Sequence, residues 1–178
     1  MKATIRQAAQ SDAAALAKFA EHTFRDAFAY DNLISNIDMH CLQSFSYQMQ
    51  QQELLNANMI TFLAEIDNSL VGFAQLKLES PVDCIKASKP AEIYRLYVAT
   101  KQHGTGLAHK IIQEVLRTAS EAQSNCIWLG VWEHNPRAIA FYRQYGFNTI
   151  GEHVFNLGLD PQRDLIMSAN INIKHFRI

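Results

Sequence analysis

The stretch Tyr97-Val98-Ala99-Thr100-Lys101-Gln102-His103-Gly104-Thr105-Gly106-Leu107-Ala108 decides how the rest of the chain is read. It begins as an apolar strand, passes through two glycines and enters a run with helical apolar spacing. A helix start leaves N–H groups without intrahelical partners and carries the positive end of the macrodipole, which suits phosphate. Gly104 and Gly106 remove side chains where a ligand must approach the backbone closely. Further along, Asn135, Pro136 and Phe141-Tyr142 place a capping side chain, a helix-starting proline and a phenol within two turns. Together the segments suggest a site that holds a phosphorylated cofactor and aims a phenol at its reactive end.

The apolar spacing continues downstream. Leu107, Ala108, Ile111, Ile112, Val115, Leu116 and Ala119 share one face of a helix. Residues 91–98 read as a central strand and 127–132 as a strand apolar on both faces, joined by a right-handed parallel crossover. Residues 135–146 read as a helix ended by Gly146. Upstream, 3–7 is a short strand, Ser11-Asp12 caps a helix, and residues 30–58 hold one or two short helices. Residues 59–66 and 70–78 form a hairpin about Asp67-Asn68-Ser69, and 80–90 is a loop. Strands 147–158 and 165–173 close the chain about Asp160-Pro161. The order β-α-α-β-β-β-α-β-α-β-β is a mixed α/β layout.

The bulk properties bound the answer. With 178 residues, 48% hydrophobic and 19% charged, the chain suits a single globular domain over 1–178. A formal net charge of −1 lacks the basic footprint of a nucleic-acid binder. Cys41, Cys84 and Cys126 are odd in number and lack metal-ligand spacing, which fits reduced thiols in a cytoplasm. The polar N-terminus lacks an apolar leader, and no apolar run reaches the ~18 residues of a membrane span. The His residues have no partners at ligand spacing, so no metal is expected.

These motifs resemble the GNAT superfamily of N-acetyltransferases. Its acetyl-CoA motif, Arg or Gln followed by two residues, Gly, one residue and Gly or Ala, is met by Gly104 to Ala108 except that His103 stands first. Its distal motif is met by Asn135, Ala138, Phe141, Tyr142, Gly146 and Phe147. The runs 128–133 and 164–167 are similar to bacterial polyamine N-acetyltransferases of the PaiA type. The resemblance implies a twisted mixed sheet of about seven strands flanked by helices, with a V-shaped splay between the fourth and fifth. It implies acetyl-CoA as co-substrate and direct transfer of acetyl to an amine, spermidine or spermine by the PaiA likeness.

The resemblance also assigns roles. Leu96, Tyr97 and Val98 would pair with the pantetheine arm, and His103, Gly104, Thr105, Gly106, Leu107, Ala108 and His109 would surround the pyrophosphate. Asn135, Ala138 and Phe141 complete that side; Asn135 is equally an ordinary N-cap. Tyr142 is the candidate general acid for the leaving thiolate, with core packing as its alternative. An amine arrives protonated, so a proton acceptor is needed. Glu92 matches a family position for it and Glu133 is a second candidate; either could instead bind a distal ammonium, and Glu92 could be a solvated strand end. Tyr30 and Asp31, with Asp38 and Glu53, fall in the variable segment expected to cover the acceptor. Other readings are acetylation of a protein N-terminus, a lysine or an antibiotic-like amine, or a CoA-responsive regulatory module. The size is compatible with a homodimer.

Overall fold

The computed structural model describes residues 3–171. Seven strands form one mixed sheet: β1 (Thr4–Gln7), β2 (Met59–Ile66), β3 (Ser69–Lys77), β4 (Pro90–Val98), β5 (Cys126–Trp132), β6 (Asn148–Leu157) and β7 (Asp160–Asn170). Their spatial order is β1-β2-β3-β4-β5-β7-β6. β4 and β5 are parallel, and every other neighbouring pair is antiparallel. The β2–β3 hairpin turns on Asp67 and Asn68, with φ of 50° and 62°. Both central residues are therefore left-handed, the geometry that matches strand twist and that Asp and Asn tolerate.

Five helices cover the sheet: α1 (Ala13–Phe28), α2 (Ile34–Phe45), α3 (Tyr47–Leu55), α4 (Leu107–Glu121) and α5 (Pro136–Arg143). Three of them precede β2, one more than the expected element order. Ser46 causes the extra break: its extended backbone ends α2, and its side chain accepts from the Met49 N–H to start α3. The apolar stripe of α4 is buried against one sheet face with Phe62, Leu76, Ile127, Leu129 and Met167. On the other face, Leu16, Ala20 and Phe24 of α1 and Ile37 and Phe45 of α2 pack on Leu63, Phe73 and Leu157. Among the described residues, no helix is long and apolar enough to cross a membrane.

The last strand starts five residues earlier than the sequence suggested, and residues 172–173 of the expected strand lie outside the described residues. β5 pairs with β7 only between Asp164 and Asn170, so Pro161 meets β6 alone and its missing N–H breaks no ladder on the other side.

Glu53 is not the acceptor-facing acid expected of it. It is buried on the inner face of α3, where Arg95 Nη1 donates to its Oε2 at 2.6 Å and Gln75 Nε2 donates to the same oxygen at 2.9 Å. Arg95 Nη1 also donates to Gln75 Oε1 at 2.6 Å, tying α3 to β3 and β4. Asp38 is likewise engaged, accepting from Arg25 at 2.6 Å on the exposed face. Removing one partner of a buried pair leaves an uncompensated charge, so Glu53→Ala should cost about 3–5 kcal/mol in urea denaturation. Asp38→Ala, on the surface, should cost under ~1 kcal/mol in the same assay.

Candidate active site

β4 and β5 pair only through Pro90–Cys126, Ala91–Ile127 and Glu92–Trp128. Just beyond, the register of β4 against β3 shifts so that Tyr94 has no partner. Such a bulge bends its strand and increases local twist. From there β4 stays with β3 and β5 stays with β7, and the gap between them opens into two cavities.

The larger cavity is about 830 Å³ and the smaller about 180 Å³. Leu96 and Tyr97 of β4, Trp132 of β5, Asn135, Ala138 and Tyr142 at α5, and Phe28 of α1 line both. The two cavities therefore meet at a common wall in the mouth of the split.

One end of the larger cavity is the glycine loop. Gly104 and Gly106 have φ of 78° and 83°, and a Cβ on either would meet no atom within 4 Å. The loop thus combines left-handed backbone with open space, a cradle that a ligand can enter closely. Lys110 N–H makes the first turn's bond to Gly106 O at 3.2 Å, so the N–H groups of Leu107, Ala108 and His109 precede the intrahelical ladder. These donors and the α4 dipole suit the phosphates of a pyrophosphate-bearing cofactor.

His103 is an exposed spacer in this loop. Its Nε2 lies 3.0 Å from Val98 O, and Arg137 Nη1 lies 3.0 Å from its Nδ1. Because guanidinium only donates, the ring accepts at Nδ1 and donates from Nε2. Arg137 thereby brings a permanent positive charge from α5 to the phosphate end. Nothing in the sequence spacing marks that residue, since α5 and the loop become neighbours only in the folded chain.

Of the residues expected around the cofactor, Leu96, Tyr97, Val98, His103, Gly104, Gly106, Leu107, Ala108, His109, Asn135, Ala138, Phe141 and Tyr142 all line the larger cavity. Thr105 is not among its lining residues; its hydroxyl donates to Gln102 O at 2.8 Å. Asn135 caps α5 by accepting from the Ala138 N–H at 3.1 Å. Tyr142 is buried on α5, its ring against Phe141 and Phe147, and burial pushes its hydroxyl well above the ordinary phenol range. It is a neutral donor facing both cavities.

The expected carboxylates fall elsewhere. Glu92 lies at the paired base of the split, where it accepts from Ser80 Oγ at 2.6 Å. Glu133 accepts from Arg163 Nε at 2.9 Å, and that guanidinium holds its carboxyl below the usual range. Among the described residues lining the two cavities, neither Glu92 nor Glu133 is present. Asp31 lines the larger cavity, whereas Tyr30 is 99% exposed and lines neither.

The carboxylate that does line the smaller cavity is Asp164 of β7, paired across the sheet with Trp132 and His153. The residue is 9% exposed, and burial pushes its carboxyl up to about 6, with His153 opposing the shift. Space for it comes from Gly130, where a Cβ would lie 3.4 Å from Asp164 Oδ2 and 3.1 Å from the His153 ring. A signal was present in the sequence, since Asp164 directly precedes the apolar run Leu165-Ile166-Met167. Choosing it required knowing which sheet face its parity selects.

A family model described as the acetyltransferase (GNAT) family matches residues 16–147. An uncharacterised N-acetyltransferase of Mycobacterium tuberculosis (strain ATCC 25618 / H37Rv) is 31% identical over 161 residues, covering 88% of this chain and 96% of its own. Spermine/spermidine N(1)-acetyltransferase of Bacillus subtilis (strain 168) is 29% identical over 91 residues, covering 51% of this chain and 60% of its own. The solved structure of PaiA N-acetyltransferase from Thermoplasma acidophilum, in complex with coenzyme A, superposes with a TM-score of 0.77 at 20% identity. That likeness, over 96% of this chain and 99% of the other, concerns the fold. With the family model spanning most of the chain and including the helix that carries Tyr142, the protein belongs to the acetyltransferase (GNAT) family and is an N-acetyltransferase.

Proposed function

We propose that this enzyme moves acetyl from acetyl-CoA directly to a primary amine, and that the amine is a polyamine of the spermidine or spermine type. The observation that carries the reading is Tyr142, a neutral phenol on the wall shared by a phosphate-ended cavity and a small second one.

The residues fit the co-substrate. The glycine loop, the start of α4 and Arg137 would hold its pyrophosphate. The unpaired edge of β4 from Leu96 to Val98 would bind the pantetheine arm as an added strand, and its N–H groups would polarise the thioester carbonyl. Tyr142 would hand its proton to the departing thiolate. Cys41 and Cys126 are buried, with burial pushing the Cys41 thiol up to about 11. No cysteine is among the described residues lining the cavities, which favours direct transfer over an acyl-enzyme.

The polyamine reading is supported by the partial likeness to the Bacillus subtilis spermine/spermidine enzyme and by the charge of the small cavity. Arg95 lines that cavity, but its charge is matched by Glu53, which leaves the Asp164 carboxylate unbalanced. Such a site favours a slender cation.

Tyr142→Phe should lower kcat about 10²-fold or more while acetyl-CoA affinity, measured calorimetrically, holds. Gly106→Asp should abolish acetyl-CoA binding, because it strains a left-handed position and repels phosphate. Thiol release should be faster with spermidine and spermine than with an alanine-terminated peptide; the reverse order would assign the enzyme to protein α-amines.

A further inference from the structure

We propose that Asp164 is the receptor for the acceptor's reactive ammonium: it binds the group in the small cavity and takes its first proton. The proposal rests on the reading that amine and thioester meet at Tyr142, and it names the residue that the expected Glu92 and Glu133 leave missing.

Three observations converge. Asp164 Oδ1 is buried with no hydrogen-bond partner among the described residues. A buried acceptor left unpaired is costly, and a carboxylate more so, which makes such an atom unusual unless a ligand completes it. Secondly, the residue lines the same small cavity as Tyr142, so an amine bound to it is held beside the wall where the thiolate must be protonated. Thirdly, the opposing groups leave its charge in place. Arg95 on β4 is committed to Glu53, while Tyr94 and Tyr97 on β4 and Tyr142 on α5 present phenols. α1 contributes only Phe24 and Phe28 to the lining.

The remaining titratable neighbour is His153 on β6, with Nε2 3.8 Å from Oδ2. The His153 side chain is 39% exposed, so Oδ2 of the carboxylate has a surface imidazole beside it, while the buried Oδ1 is left without a partner among the described residues. That imidazole is suited to pass a proton out to solvent. The upward shift of the Asp164 carboxyl, caused by burial, adds proton affinity near neutral pH without abolishing the charge above about 6.

The proton and electron inventory closes. The ammonium gives one proton to Asp164, which releases it through His153 to water. The neutral amine attacks the thioester carbonyl carbon, forming the C–N bond. As the C–S bond breaks, the sulfur takes the Tyr142 proton, and the nitrogen's surplus proton restores Tyr142. The net products are the amide, free coenzyme A thiol and one proton.

The test uses the full-length enzyme saturated with coenzyme A and two probes of like shape, n-butylammonium and 1-butanol. With the aspartate carboxyl carbons labelled, the Asp164 resonance is the one absent from Asp164→Asn. n-Butylammonium is expected to shift that resonance and lower its titration midpoint, and 1-butanol to do neither. Asp164→Asn should weaken n-butylammonium about tenfold or more and lower kcat for amine acetylation about 10²-fold, with coenzyme A affinity retained. A resonance indifferent to n-butylammonium, or an Asn variant that binds the probe as the parent does, overturns the assignment even if turnover falls. A parallel spermidine assay separates the two readings: no spermidine turnover alongside an intact n-butylammonium response refutes the polyamine and leaves Asp164 as the receptor.

Discussion

Hydrogen bonding between β4 and β5 stops at Glu92 and Trp128, and the working parts of the molecule are arranged around that stop. A parallel sheet normally continues its ladder, because buried N–H and C=O groups left alone are costly. Here the bulge at Tyr94 turns β4 away, while β5 keeps β7 on its other edge along its whole length. The edge exposed between them is unfinished backbone inside a protein, which is what a thioester-bearing arm with its own amide groups can complete. Helices enter at the same place for the same reason. α4 and α5 begin where β4 and β5 end, so their N-terminal donors converge on the mouth of the split.

Charge is distributed unevenly across this architecture. On the sheet face covered by α1 to α3, Arg95 and Glu53 neutralise one another inside a network that also takes in Gln75. A short distance along the same face, Asp164 has no such partner, and only a half-exposed His153 stands near it. One buried pair holds α3 in place, whereas the other buried acid weakens the fold above its raised pKa. Destabilising groups of this kind are tolerated where function needs them. On the opposite side of the split, Arg137 brings positive charge to the glycine loop. The loop end of the larger cavity thus has the Arg137 cation beside it, the smaller cavity holds the Asp164 carboxyl, and Tyr142 lines both.

Much of this was readable from the chain itself, because it depends on neighbours in sequence. The glycines of the loop, the Asn135-Pro136 cap and the α4 stripe act within one or two turns. The Asp67-Asn68 hairpin is equally local. These features set the mixed α/β order, the phosphate cradle and the phenol. Residues 30–58 were harder, since Ser46 divides two helices whose stripes are short and rich in Gln.

The carboxylates show where local reading ends. Glu92, Glu133 and Asp164 are all acids on or beside central strands, and sequence spacing treats them alike. The fold separates them by pairing. Glu92 falls on the side where the ladder is still closed, Glu133 is drawn outward by Arg163, and strand parity turns Asp164 into the gap. Sequence alone determined the elements and the chemistry of the donor end, because backbone conformation and helix termini are properties of a few consecutive residues. Tertiary structure alone decided which acid lines the split, because that depends on register between strands distant in the chain and on where their hydrogen bonds stop.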